Sequence, residues 1–201
     1  MHTPIKQKRQ YSRVHREDKK VQPLVAQGWR KNKIRFPNLT KSAKIYQLHV
    51  SLEESNPLIW RRFLIPGNYT LADLHDVLQR VMGWQESHLH EFIISKRRYG
   101  DTYLNEEGFG PRVEDQSKIS LNDAFPSKGK SFRYIYDFGD DWIHKIKVED
   151  VLSAEPKGRY PVCLDGEYAC PPEDSGGIFG LYENLRIMND PSDPEYEDIR
   201  D

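Results

Sequence analysis

Ile45-Tyr46-Gln47-Leu48-His49-Val50-Ser51-Leu52 sets Tyr46, Leu48, Val50 and Leu52 in alternation with Gln47, His49 and Ser51. A period of two is the pattern of a strand buried on one face only. Asn56 and Pro57 follow as turn formers, and Leu58-Ile59-Trp60-Arg61-Arg62-Phe63-Leu64-Ile65 reads as a second strand, ended by Pro66 and Gly67. The two runs predict a hairpin, so the fold begins as antiparallel sheet.

Downstream, Thr70 is a good N-cap, Asp73 and Asp76 suit the first turns, and Leu71, Leu74, Leu78, Val81 and Met82 keep the helical period until Gly83. Residues 89–95 read as a strand, and 96–116 as a charged loop without periodicity. A second hairpin joins 131–136 to 142–149 through Asp137, Phe138, Gly139, Asp140 and Asp141. Residues 178–188 read as a last helix, with Phe179, Tyr182 and Leu185 on one stripe. Hairpins alternating with helices imply an α+β fold: a mainly antiparallel sheet of hairpins with two principal helices packed on one face. Trp60, Trp142, Phe132, Leu74 and Leu78 are the expected core.

Charge divides the chain. Residues 1–44 hold 13 Lys and Arg against Glu17 and Asp18, a net of +11, while the remaining 157 residues carry 17 basic and 29 acidic side chains, a net of -12. Pro4, Pro23, Gly28 and Pro37 interrupt a polar, aperiodic N-terminal stretch, so 1–44 reads as a flexible basic extension, 45–189 as one domain and 190–201 as an acidic tail. Lys6, Lys8, Arg9, Arg13, Arg16, Lys19, Lys20, Arg30, Lys31, Lys33 and Arg35 would meet phosphates, and Arg61 and Arg62 beside Trp60 add cations next to an aromatic ring. Nucleic acid is the expected partner, with a protein partner as the other class. No run approaches the roughly 18 apolar residues of a membrane span, and the basic N-terminus lacks an apolar leader segment. A cytoplasmic protein without membrane contact is expected.

The chemistry concentrates in YDFGDDWIH, from Tyr136 to His144, and CLDGEYACPPEDSGG, from Cys163 to Gly177. Their carboxylates exceed what chain reversal needs. Asp137, Asp140, Asp141, His144, Glu173 and Asp174 are therefore candidate ligands of a divalent cation, the one cofactor class the sequence points to. The competing reading makes the aspartates caps of turn amides and His144 a structural histidine, since it shares a strand face with Trp142, Ile146 and Val148. His75, His88 and His90 form a second candidate cluster. On a strand, His88 and His90 would point to one face and Glu91 to the other. Cys163 and Cys170, separated by six residues, match no standard zinc spacing and read as reduced thiols. The tetrapeptide from Asp174 to Gly177 resembles a serine-protease nucleophile motif, but no upstream histidine block or length for two barrels accompanies it.

Four blocks together carry a family resemblance: IWRR at Ile59 to Arg62, LADLHDVLQRVMGW at Leu71 to Trp84, HLHEF at His88 to Phe92, and the acidic stretch made of the two segments above. In this order, over about 45–194, they resemble the plasmid pRiA4b ORF-3-like family. The resemblance implies a plasmid or insertion-element context. Members often carry a third cysteine where this chain has Ser175, and a further C-terminal segment is expected beyond Asp201. The function expected is that of a mobile-element-associated accessory or binding protein, using the basic arm on nucleic acid and the acidic and histidine residues for an ion. A metal-assisted hydrolase or nuclease built on the two acidic loops and a protein-interaction domain without catalysis are the alternatives.

Overall fold

The computed structural model describes residues 39–106, 108, 110–125, 127–155 and 158–200, together with Gln22–Pro23. The chain runs β1 (Lys44–Leu52), β2 (Trp60–Pro66), α1 (Leu71–Met82), β3 (His90–Ile94), β4 (Arg97–Gly100), α2 (Tyr103–Glu106), β5 (Glu114–Asp115), a 3-10 turn (Gln116–Lys118), α3 (Leu121–Ala124), β6 (Ser131–Tyr136), β7 (Trp142–Ser153), β8 (Val162–Glu167), α4 (Gly177–Met188) and α5 (Tyr196–Arg200). One sheet holds all eight strands in the order β8-β2-β1-β7-β6-β3-β4-β5, with Gln22–Pro23 paired to the outer side of β8. Every pairing is antiparallel except β4 with β5. The protein is thus α+β, as the hairpin pattern implied.

Alternation decides which face is closed. Leu48, Val50 and Leu52 of β1, Phe63 and Ile65 of β2, Phe132 and Tyr134 of β6, and Trp142, Ile146 and Val148 of β7 join one buried cluster. Helix α1 completes it with Leu71, Leu74, Val77 and Leu78. This helix starts on a capping box, in which Thr70 Oγ1 accepts from Asp73 N at 3.2 Å and Asp73 Oδ2 accepts from Thr70 N at 2.8 Å. It stops at Gly83, whose φ of 87° needs no Cβ. Among the described residues no helix is long and apolar enough to cross a membrane.

Four expectations are corrected. Trp60 is only partly buried and lies outside the cluster: it pairs in register with Ser51 on the opposite, open face and stacks on His49 with ring centroids 5.1 Å apart. Arg61 takes the inward direction instead, its Nε donating to Val81 O at 3.0 Å. The segment after Ile94 is not a loop at once, because Ser95 and Lys96, with φ of 48° and 70°, make a two-residue turn into β4. A hairpin turn with both central residues at positive φ usually advertises itself with Asn or Gly. Residues 162–167 are strand β8 rather than loop, paired antiparallel to β2 with an irregularity opposite Arg62 and Phe63. On α4, Phe179 is 82 % exposed, whereas Leu181 is buried and Ile178, Tyr182 and Leu185 pack against the core.

Candidate functional site

The turn between β6 and β7 is built by Asp137. Its φ is 59°, its Oδ1 accepts from Gly139 N at 2.9 Å, and its carbonyl accepts from Asp141 N at 2.7 Å. One carboxylate oxygen is thereby spent on the backbone. The other, Oδ2, lies 3.5 Å from His88 Nδ1.

The segment preceding α4 lies beside this turn. Asp140 Oδ2 accepts from Gly176 N at 3.0 Å, and a Cβ on Gly177 would sit 2.4 Å from Asp140 O. Backbone meets backbone here, and Gly177 is also at a φ of +66°. Gly177→Ala should therefore cost at least about 1–2 kcal/mol from the left-handed conformation alone, read as a lowered thermal midpoint. An unchanged midpoint would mean that the two segments are not in contact. The rest of the segment is pinned from below: Trp84 Nε1 donates to Pro171 O at 2.9 Å, Tyr136 Oη donates to Glu173 Oε1, and Gln85 N donates to Glu173 Oε2 at 3.2 Å. Burial, then the neighbouring Glu173, raises the Tyr136 pKa, so the phenol keeps its proton and acts as the donor.

Between the two segments stands His88. Its Nε2 is 3.1 Å from Asp174 Oδ1 but makes no hydrogen bond there, and that nitrogen is shielded from solvent. His88, Asp137 and Asp174 each offer a ligand atom, and the three atoms lie within 4.8 Å of one another. Asp137 is buried, His88 half-buried and Asp174 exposed. Among the described residues, no Lys or Arg forms an ion pair with Asp137, Asp140, Asp141, Glu173 or Asp174. Two carboxylates without a Lys or Arg partner among the described residues are held beside one imidazole. One nitrogen and two carboxylate oxygens form a donor set suited to a divalent first-row ion, and three protein ligands leave coordination positions for water.

The grouping differs from both clusters read in the sequence. Asp137 and Asp174 come together, Asp140 caps Gly176, Asp141 faces solvent and Glu173 is bound to Tyr136. His144 does not join them. It is 0 % exposed, its Nδ1 lies 3.3 Å from Tyr134 O, and its ring stands edge-on to Trp84 with centroids 5.1 Å apart. Burial lowers its pKa to about 4, so it is a neutral core histidine. His88 parts from His90 because the strand begins only at His90, and the alternation that would align them does not reach residue 88.

His90 instead stacks on His75 with centroids 3.5 Å apart and planes 5° from parallel. His75, Asp76 and Glu86 form a second three-residue group with ligand atoms within 4.8 Å, of which Asp76 and Glu86 had not been singled out as ligands. Below it, Glu86 N donates to Gln79 Oε1 at 2.9 Å, which turns Gln79 Nε2 toward Tyr134 Oη at 3.0 Å. Tyr134 Oη also hydrogen-bonds His75 Nδ1, 2.8 Å away. His75 and Gln79, one helical turn apart, were the sequence signal for this network.

The thiols carry no sign of activation. Burial raises the Cys170 pKa to about 11 and also raises that of Cys163, so both remain protonated at neutral pH. Of the expected nucleic-acid contacts, the lysines and arginines from Lys6 to Arg35 lie outside the described residues; Arg62 lies on the open sheet face and Arg61 turns inward.

An α+β domain with one sheet face closed by the main core, the other covered only at one end by Ile45, Ala154 and Tyr160, and an acidic-histidine junction at its rim, is the class of protein these features define. The model of the Plasmid pRiA4b ORF-3-like protein family matches residues 44–201, and the chain belongs to that family. It is 39 % identical over 151 residues to "Uncharacterized protein y4hQ" of Sinorhizobium fredii (strain NBRC 101917 / NGR234), covering 75 % of this chain and 76 % of the relative. It is also similar to the crystal structure of a protein of unknown function, MM3350, from Methanosarcina mazei Go1, with a TM-score of 0.68 and 38 % identity over 78 % of this chain and 88 % of that one.

Proposed function

We propose that the protein is a cytoplasmic accessory protein of mobile-element context, whose folded domain holds a divalent cation between His88, Asp137 and Asp174 and whose basic arm contacts nucleic acid. The convergence of those three side chains, whose two carboxylates no Lys or Arg of the described residues neutralises, carries the reading. Gathered carboxylates repel one another, and a cation relieves that repulsion while tying the β6–β7 turn to the segment before α4. The net of +11 in residues 1–44 favours the nucleic-acid half, because a dense basic segment binds phosphates without sequence preference and in a salt-sensitive way.

Thermal unfolding tests the cation. With chelator as the baseline, manganese, zinc, magnesium and calcium are added in turn. A bound ion should stabilise by about 2.7 kcal/mol at a hundredfold excess over its dissociation constant, roughly 5–10 °C for a domain of this size. Asp174→Asn and His88→Gln should abolish the shift while barely moving the metal-free midpoint. Asp141→Asn should leave both unchanged. The same midpoint with chelator and with every metal would overturn the site.

A further inference from the structure

The open face of the sheet carries its own chemistry. In the cross-strand row through β2, β1, β7 and β6, Arg62 pairs with His49, His49 with Lys147 and Lys147 with Ser131. In the next row Trp60 pairs with Ser51, Ser51 with Lys145 and Lys145 with Arg133. Alternation puts these side chains together on the face opposite the core. Trp60 stacks on His49, and the Arg62 guanidinium lies 5.1 Å from the centroid of the Trp60 ring. Burial keeps the His49 pKa below its ordinary value, so this ring is a neutral aromatic at neutral pH.

Not every cation on the face is spoken for. Arg62 is held bidentate by Glu149, at 2.6 and 3.0 Å, and Arg133 by Glu53, at 3.1 and 3.0 Å. Those pairs fix the two guanidinium planes. Lys145 and Lys147 are exposed and, among the described residues, form no ion pair. A shallow depression of about 560 Å³, lined by Gln47, Arg62, Lys128, Lys147 and Glu149 among others, opens on the same face.

We propose that this open face, along Trp60, His49, Arg62, Lys145 and Lys147, is a contact surface for single-stranded nucleic acid. The inference extends the nucleic-acid half of the proposed function by placing a site on the folded domain, and it is independent of the cation. Two lysines with no ion pair among the described residues supply phosphate contacts, and Trp60, only partly buried, presents the accessible part of its ring surface to a base. A single strand can lay a base on that surface, whereas a duplex keeps its bases stacked inside.

Much of the net of -12 beyond residue 44 lies elsewhere, and on this face Glu149 and Glu53 are spent on Arg62 and Arg133 while Asp165 and Glu167, opposite Arg62 and Trp60, border it along β8. Residues 183–201 hold seven acids against Arg186 and Arg200, and Asp137, Asp140, Asp141, Glu173 and Asp174 sit at the junction described above. Gln22–Pro23, within the basic segment, pairs with β8, the neighbour of the strand that bears Trp60 and Arg62.

Fluorescence anisotropy of labelled single-stranded DNA and RNA oligonucleotides, over a salt series and against a duplex of equal length, tests the surface in the full chain. Replacing Lys145→Gln and Lys147→Gln together should flatten the slope of log affinity against log salt by about 1.4, at roughly 0.7 per phosphate contact on a single strand. Trp60→Leu should weaken binding roughly tenfold with the slope kept, since one stacking contact is lost. Neutralising Lys6, Lys8, Arg9 and Arg13 to Gln should leave residual binding that Trp60→Leu still weakens. If the arm variant loses all binding while the lysine pair and Trp60→Leu bind like the parent, the face is overturned and the arm reading stands. If no oligonucleotide binds, both fall. Equal affinity for duplex and single strand, with Trp60→Leu silent, would leave only polyanion adsorption and overturn the stacking surface.

Discussion

Trp142→Ala is expected to destabilise the domain by about 3 to 5 kcal/mol, the usual cost of emptying a buried aromatic site. Trp142 is 0 % exposed and shares its cluster with Phe132, Leu74 and Leu78. It lies opposite Tyr136 in register and 6.0 Å from the Trp84 ring centroid. Among the described residues its Nε1 has no hydrogen-bond partner, so the cost there is packing and cavity rather than a lost polar contact. Against a typical total stability of about 5–15 kcal/mol, that loss removes a large fraction of the margin. Urea unfolding reads it as a lower midpoint at unchanged slope. A loss below about 1 kcal/mol would mean that the inward face of β7 has been assigned wrongly.

Acid should weaken the fold well before the carboxylates protonate. His144 titrates near 4 in the folded protein because burial disfavours its charged form, against an ordinary value of 6.5. The unfolded chain therefore binds a proton that the fold refuses across that window. The stabilisation from a neutral buried His144 is complete above about pH 6.5 and is lost as pH falls toward 4, amounting to about 3 kcal/mol. Glu149 acts lower down: hydrogen bonding to Arg62 holds its pKa at about 2, so its contribution fades only between about 4.5 and 2. Urea midpoints at pH 7, 5.5 and 4.5 span this window, to which His49, its pKa also lowered by burial, contributes. His144→Phe should flatten the dependence in that range, and a parent protein equally stable at pH 7 and 4.5 would rule out a neutral core histidine.

The parts of the fold legible in the sequence were those fixed by local rules. Alternation from Tyr46 to Leu52 and the Thr70-to-Gly83 helix signals needed no tertiary information. Trp60 misled because Arg61 and Arg62 flank the switch of faces and both are charged. The register that sends Arg61 inward, to Val81 O, is decided by the helix above it. The turn at Ser95 and Lys96 carries none of the residues that favour positive φ, so its strand was hidden. The excess of carboxylates in the two acidic segments was plain. Their histidine was not: His88, Asp137 and Asp174 come from three separate segments, and no spacing rule connects them before the chain folds.

The sheet's two ends bear on whether a further strand can extend it. At one end β5 is only two residues, Glu114–Asp115, and both are clamped by cations, Glu114 by Arg97 and Asp115 by Lys118 at 3.1 Å. At the other, the outer side of β8 is met by Gln22–Pro23, and a proline has no amide hydrogen to offer a further strand. A charged two-residue margin and a proline-bearing one give a neighbouring copy little ladder to extend. Growth of the sheet from chain to chain is thus resisted at both margins, although its central strands β1 and β7 are 9 and 12 residues long.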